Sequence, residues 1–271
     1  MVAIHPAIAV YPSGGCSKGD LGMAIVPVEG VKMEINKIYL GDAYKLIKEV
    51  PDKSVDLIVT DPPYSYDSLS GGGIAGQVEF FKEIQASQID KGFDYALLDE
   101  MVRVCKNINI YIWVSKKQFK PILDYVVDKY KCSWDLIIWK KQNPVPLCNN
   151  QYLHDCEYCL WFHKGVRFLG NFDTASTVFI TPINQRDKKQ YAHPTIKPQE
   201  IIETLIKNSC GGGLVFDPFM GSGTTACAAK ALGLDYLGFE INPKWHAVAV
   251  DRVNGITKKQ RDAGIEQLRL F

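Results

Sequence analysis

Leu214-Val215-Phe216-Asp217-Pro218-Phe219-Met220-Gly221-Ser222-Gly223-Thr224-Thr225-Ala226 changes character twice within thirteen positions. Residues 214–216 are an apolar run of strand length. Asp217 to Gly223 break it with proline and glycine, and from Thr224 a helical pattern runs to Leu232, where Gly233 stops it. A second strand follows at 236–239, then a helix with Asn242 as its cap and Pro243 at its start. Strand, turn, helix, strand, helix is the alternation of an α/β protein: a mostly parallel twisted sheet with helices on both faces, binding ligands beyond the carboxyl ends of its strands.

The turn carries its own chemistry. Gly221, Gly223 and Ala226 match the G-x-G-x-x-G/A spacing that lets a backbone approach a ligand closely at a helix start. Glu240 closes the next strand, where a carboxylate can accept both hydroxyls of an adenosine ribose. Together they predict an adenosine-containing cofactor. A phosphate-cradling P-loop is disfavoured, because no lysine follows Gly223 and the glycine spacing differs. A dinucleotide stays open at this point.

The same alternation runs upstream. Residues 35–40 read as a strand, 43–50 as a short helix, and 55–60 as a continuous apolar strand buried on both faces. Asp94 reads as the cap of a helix ending near Cys105; then come a strand at 108–114, a helix near 117–130 and a strand at 134–139. Residues 157–162 and 177–180 are strand-like, and Pro198 is expected in the first turn of a helix whose Ile201, Ile202, Leu205 and Ile206 share one face. Residues 1–32, rich in glycine and proline and without periodicity, read as an N-terminal extension lacking fixed structure, ahead of one domain at 33–271. Serine and glycine at 65–77 mark a mobile loop, taken as about 65–88, suited to a lid.

Thr60-Asp61-Pro62-Pro63-Tyr64 follows the buried strand directly, so it belongs at the ligand-binding edge. An aromatic amine is a poor nucleophile because its lone pair is delocalised into the ring. Methylating one requires acceptors for its hydrogens, a rigid frame and a surface for the base. Asp61 and the Pro62 carbonyl supply acceptors, the two prolines stiffness, and Tyr64 a stacking ring.

These motifs, in this order, resemble the amino-methylating DNA methyltransferases of the beta-type permutation, in which DPPY precedes the cofactor glycines. The resemblance spans about residues 33–253. It includes Gly41-Asp42, Trp139-Lys140, Glu157-Tyr158, His193-Pro194-Thr195-Ile196-Lys197-Pro198, the 217–223 turn and Gly238 to Pro243. It implies a Rossmann-like S-adenosylmethionine-dependent methyltransferase fold, with Asp61, Pro62, Pro63 and Tyr64 as the catalytic set. It also implies that Asp42 contacts the cofactor adenine, Glu240 the ribose, and Thr195 with Lys197 the methionine carboxylate. Asp217, Pro218, Phe219, Gly221, Ser222, Gly223, Thr224 and Asn242 complete the expected cofactor pocket. Asp61 at the head of the motif points to adenine N6 as target, with cytosine N4 as the alternative. The implied partners are double-stranded DNA, a homodimer mate and a cognate restriction endonuclease. Target recognition is expected from a short insertion at about 164–192, with Arg167, Arg186, Lys188 and Lys189, sharing the task with the 65–88 loop. Lys140 and Lys141 are further candidates for DNA contact.

The net charge of +1 gives no global pull toward nucleic acid, so local patches must do that work. Apolar runs are strand-sized, well short of the roughly 20 residues of a membrane span. With no basic leader and eight scattered cysteines, the chain is expected in a reducing cytoplasm, away from membranes. Cys148, His154, Cys156 and Cys159 have zinc-like spacing, but 157–162 alternates as a strand and amine methylation needs no metal, so no metal is expected. A nicotinamide-dependent oxidoreductase would explain the glycines and Glu240 but leaves the DPPY segment idle. An inert DNA-binding module would leave both halves of the apparatus idle.

Overall fold

The computed structural model describes residues 33–63, 94–144, 152–183, 191, 196–257 and 259–260. Among them, eight strands form one sheet: β1 (Lys37–Leu40), β2 (Leu57–Thr60), β3 (Ile108–Val114), β4 (Ser133–Lys141), β5 (Cys156–Lys164), β6 (Val178–Thr181), β7 (Leu214–Asp217) and β8 (Asp235–Glu240). Their spatial order is β1-β8-β7-β2-β3-β5-β4-β6. Every pairing is parallel except those of β5, which runs against both β3 and β4. The helices are α1 (Ala43–Leu46), continued by a 3-10 turn at Ile47–Glu49, α2 (Tyr95–Val104), α3 (Lys116–Tyr130), α4 (Gln199–Ser209), α5 (Thr224–Ala231) and α6 (Pro243–Val253).

Alternation along β3 shows why the sheet is covered on both sides. Tyr111 and Trp113 join a core with Ile201, Ile202, Leu205 and Ile206 of α4, Ala226 and Ala229 of α5, and Ala249 and Val253 of α6. Ile110, Ile112 and Val114, one position out of phase, face Leu97, Leu98 and Met101 of α2 and Ile122 and Val126 of α3. A period of two in the strand thus serves two helix layers. All four residues of β2 are buried, as expected of a strand flanked by β7 and β3.

Most expected elements stand within a residue or two of their expected bounds. Pro198 does not lie inside its helix: it holds the N-cap position with ψ 123, and the helix begins at Gln199. β4 extends to polar residues at both ends, because antiparallel pairing with β5 from Ser133 to Lys140 satisfies their backbone groups whatever their hydropathy. Residue ranges 1–32, 64–93 and 184–190 lie outside the described residues, which takes in the extension, the 65–88 loop and part of the expected insertion.

The direction of β5 decides where the segment after it lies. Since β5 is reversed, its end at Lys164 lies at the amino edge of the sheet, so Arg167 follows it there and not beside Asp61. The segment is fastened at that edge: Leu169 N donates to Asn208 O at the end of α4 (2.7 Å), and Asn208 Nδ2 donates to Thr174 O (2.7 Å). Arg167 thus follows β5 at the edge opposite the end of β2.

Candidate active site

The ends of β1, β8, β7, β2, β3 and β4 share the carboxyl edge, which places Asp42, Glu240, the glycine turn, Asp61 and Lys141 along one side of the molecule. At one end, Gly41 N donates to Glu240 O (2.9 Å), setting the Gly41-Asp42 corner beside the end of β8. Asp42 caps α1, its Oδ1 accepting from Tyr44 N at 3.0 Å. Glu240 is held by two backbone donors, Gly221 N on Oε2 and Asn242 N on Oε1, both at 2.8 Å. Burial pushes its carboxyl up to about 7 against the pull of those N–H groups, so it sits near the balance between its two protonation states.

Gly221 and Gly223 adopt positive φ of 52 and 81, the left-handed region that costs glycine least. At Gly223 a Cβ would lie 3.0 Å from Ala249 Cα, so the glycine also lets α5 pack closely on α6. Asp217 lies beneath the turn and is 4% exposed. Its carboxylate accepts from Thr60 Oγ1 (2.7 Å), Phe219 N (3.0 Å) and Thr225 Oγ1 (2.8 Å). Burial pushes it up to about 6 even with these three donors, and the nearby Asp61 adds to the rise. Asp217 therefore shapes the turn from below. Pro218 is buried beside it, and Phe219 packs edge-to-face on Tyr44 with ring centroids 6.5 Å apart.

The side chains of three residues expected in the cofactor pocket have partners within the protein. Thr224 Oγ1 accepts from Arg252 Nη1 at 2.7 Å, and Ser222 Oγ and O accept from the same nitrogen at 3.3 Å. Both hydroxyls are thus directed at α6, because the buried Arg252 guanidinium needs acceptors there. Asn242 spends its side-chain oxygen capping α6, accepting from Lys244 N (2.9 Å) and Trp245 N (3.4 Å).

At the corner after β2, Lys197 Nζ lies 2.5 Å from Asp61 Oδ2 and 3.0 Å from Glu157 Oε2, and Lys141 Nζ lies 2.7 Å from Glu157 Oε1. Burial alone would raise the Glu157 carboxyl, but the ammonium groups of Lys197 and Lys141 hold it down to about 2. Gln118, the N3 residue of a capping box that starts α3 at Ser115, donates from Nε2 to Pro63 O at 3.2 Å. The turn after β2 is thus held at both ends.

Lys141, named as a candidate for DNA contact, belongs to this cluster through its ion pair with Glu157. Lys140, half exposed, pairs with Asp155. Tyr64, Thr195, Arg186, Lys188 and Lys189 lie outside the described residues. Cys156 and Cys159, three apart on β5, point to opposite faces of the sheet, which separates two of the four residues of the zinc-like pattern. Gln118, Trp113, Arg252 and the charge role of Glu157 went unread in the sequence; only Glu157 carried a signal, as part of the Glu157-Tyr158 motif.

A glycine turn after β7, carboxylates after β8 and β1, and an acidic, proline-stiffened corner after the adjacent β2 mark an α/β protein whose ligand site lies at the carboxyl ends of its strands. The family model for N6/N4 DNA methylases matches residues 55–251, and the chain belongs to that family. It is 28% identical over 272 residues to the type II methyltransferase M.HinfI of Haemophilus influenzae, covering 89% of this chain and 75% of that protein. It is 27% identical to M2.DpnII of Streptococcus pneumoniae, covering 80% and 90%. Among solved structures, the M1.HpyAVI–SAM complex superposes with a TM-score of 0.58 at 28% identity, over 80% of this chain and 98% of that one. The PvuII cytosine-N4-specific methyltransferase superposes with a TM-score of 0.59 at 17% identity, a likeness of fold alone. The fold is the Rossmann-like one these proteins share. No described helix is long and apolar enough to cross a membrane.

Proposed function

We propose that this chain is a site-specific DNA methyltransferase that moves a methyl group from S-adenosylmethionine to the exocyclic N6 amine of adenine in double-stranded DNA, acting on a base turned out of the stack. The observation that carries this reading is the placement of Asp61. It ends β2 beside β7, so the amine acceptor stands one strand from the glycine turn, joined to it by the buried Thr60–Asp217 bond.

The donor set fits the cofactor. An ionised carboxylate has about four acceptor sites, so Glu240, with two taken by backbone N–H groups, keeps capacity for the two ribose hydroxyls. In this reading Asp42, at the neighbouring strand end, accepts from the adenine amine, and the Gly221 to Gly223 backbone lets the ligand lie close. S-adenosylmethionine supplies an electrophilic methyl on a sulfonium. Asp61 and the Pro62 carbonyl accept the two amine hydrogens and turn the nitrogen lone pair toward that methyl. Pro62 and Pro63 keep the acceptors from swinging away, and Tyr64 stacks on the extruded base, a contact worth about 1–3 kcal/mol. A base inside the duplex cannot reach this corner, which is why flipping is part of the reading. Adenine is preferred over cytosine by family analogy, since an Asp before the Pro-Pro-Tyr segment goes mostly with adenine and a Ser mostly with cytosine.

Asp61→Ala tests the assignment. It is expected to abolish methyl transfer to DNA while leaving the affinity for S-adenosylhomocysteine nearly intact, because it removes an acceptor used only on the target amine. Loss of cofactor binding would show that Asp61 is misplaced in this scheme.

A further inference from the structure

We propose that Lys197, braced by Glu157 and Lys141, is the positioning residue that fixes the Asp61 carboxylate for amine methylation. This rests on the methyltransferase reading above and gives three more side chains a part in it. Asp61, Lys197, Glu157 and Lys141 form a row of alternating charge, with contacts of 2.5, 3.0 and 2.7 Å between successive members. The row draws on four separate segments: the turn after β2, the approach to α4, the start of β5 and the end of β4.

The geometry has a chemical purpose. An aspartate at a strand end can rotate its carboxylate, but holding the amine requires one oxygen aimed at the base. An ammonium on Oδ2 restrains the rotation of the carboxylate and so keeps its acceptor lone pairs on a constant aim. Lys197 is only 8% exposed, and a buried ammonium needs matching charge. Glu157 supplies it, so Asp61 does not have to neutralise Lys197 alone. Lys141 in turn balances Glu157, leaving the row neutral overall. The Lys197 ammonium also lies over the Trp113 ring, 5.1 Å from its centroid. Trp113 is 1% exposed, and its Nε1 has no hydrogen-bond partner among the described residues, so it serves Lys197 through its ring face.

The competing role for Lys197, anchoring the methionine carboxylate, makes a different prediction. Wild type, Lys197→Met, Lys197→Arg and Glu157→Gln are compared for kcat on DNA at saturating cofactor and for the S-adenosylhomocysteine Kd by calorimetry. A misaimed acceptor is expected to lower kcat about 100-fold in Lys197→Met. Cofactor Kd should stay within about threefold, because ground-state cofactor binding is untouched. Lys197→Arg, which restores a cation able to grip a carboxylate, should recover at least about tenfold of the lost kcat. Glu157→Gln, which keeps the side-chain volume, should lower kcat with Kd unchanged. A Kd raised about tenfold or more with kcat preserved would overturn the proposal in favour of carboxylate anchoring; wild-type kcat in Lys197→Met would overturn it as well. Wild-type protein that binds S-adenosylhomocysteine but methylates no DNA would instead overturn the underlying functional reading, so the two failures are distinguishable.

Discussion

Thr60 Oγ1 donates to Asp217 Oδ1 at 2.7 Å, and this buried bond ties the end of β2, which carries Asp61, to the end of β7, where the glycine turn begins. Thr60→Val keeps the shape and removes the donor. A hydrogen bond to a charged group is worth about 1.5–3 kcal/mol, so chemical denaturation should show a loss on that scale. Methyl transfer should fall as well, since the two halves of the site lose their registration. Unchanged stability would show that Asp217 is satisfied without Thr60.

Gly223 combines a φ of 81 with an approach to Ala249 that a Cβ would crowd at 3.0 Å. Gly223→Ala therefore meets both backbone strain and a clash between α5 and α6. It should cost at least about 1–3 kcal/mol and weaken cofactor binding. Gly233, also at positive φ, has open space around its Cβ position, so Gly233→Ala should pay for the backbone alone and leave cofactor affinity unchanged. Equal effects at the two sites would contradict the close-packing role of Gly223.

Gln118 reaches from α3 to the Pro63 carbonyl at 3.2 Å. Gln118→Ala removes both that tether and half of the capping box with Ser115. Loss of the box alone should lower stability by about 0.5–2 kcal/mol. Gln118→Glu keeps the acceptor that Ser115 uses and loses the donor that Pro63 needs, so it isolates the tether. It should lower kcat more than it lowers the melting temperature; a variant with wild-type kcat would limit Gln118 to helix capping.

Burial pushes Glu240 up to about 7, and its ionised form is the one able to accept two ribose hydroxyls. Cofactor Kd should therefore rise as pH falls through about 7. Binding at pH 6 should release a proton, measurable by calorimetry in buffers of different ionisation enthalpy. The sign for stability is opposite: the free protein holds this proton more tightly folded than unfolded, where glutamate titrates near about 4.3. Glu240 thus favours folding more as pH falls from about 7 toward about 4. Glu157, held down to about 2, contributes stability that is full above about 4.3 and lost as pH falls toward 2. A pH-independent Kd between pH 6 and 8 would contradict the ribose role.

The run from Leu214 to Val253 was legible because each element there is announced locally, by an apolar strand, paired glycines, the Asn242 cap and Pro243. Asp61 and Glu240 were legible as strand-end carboxylates for the same reason. What escaped is long-range. An apolar run such as 157–162 carries no direction, so the reversal of β5, which sets Arg167 near the amino edge, could not be read from it. Lys197 meets Asp61 across 136 residues, Gln118 meets Pro63 across 55, and Arg252 meets Thr224 across 28. None of these partners is marked by spacing. Ser222 and Thr224 were expected in the pocket by resemblance alone, and the contact of both hydroxyls with the buried Arg252 is one that no local pattern announces.

The central claim is methyl transfer to adenine N6. Mass spectrometry of nucleosides from DNA incubated with this protein and isotopically labelled S-adenosylmethionine tests it most directly. Labelled N6-methyladenine as the modified nucleoside is the predicted result. Labelled N4-methylcytosine would contradict the assignment of the target through Asp61, and unmodified DNA from protein that binds S-adenosylhomocysteine would contradict the methyltransferase reading itself.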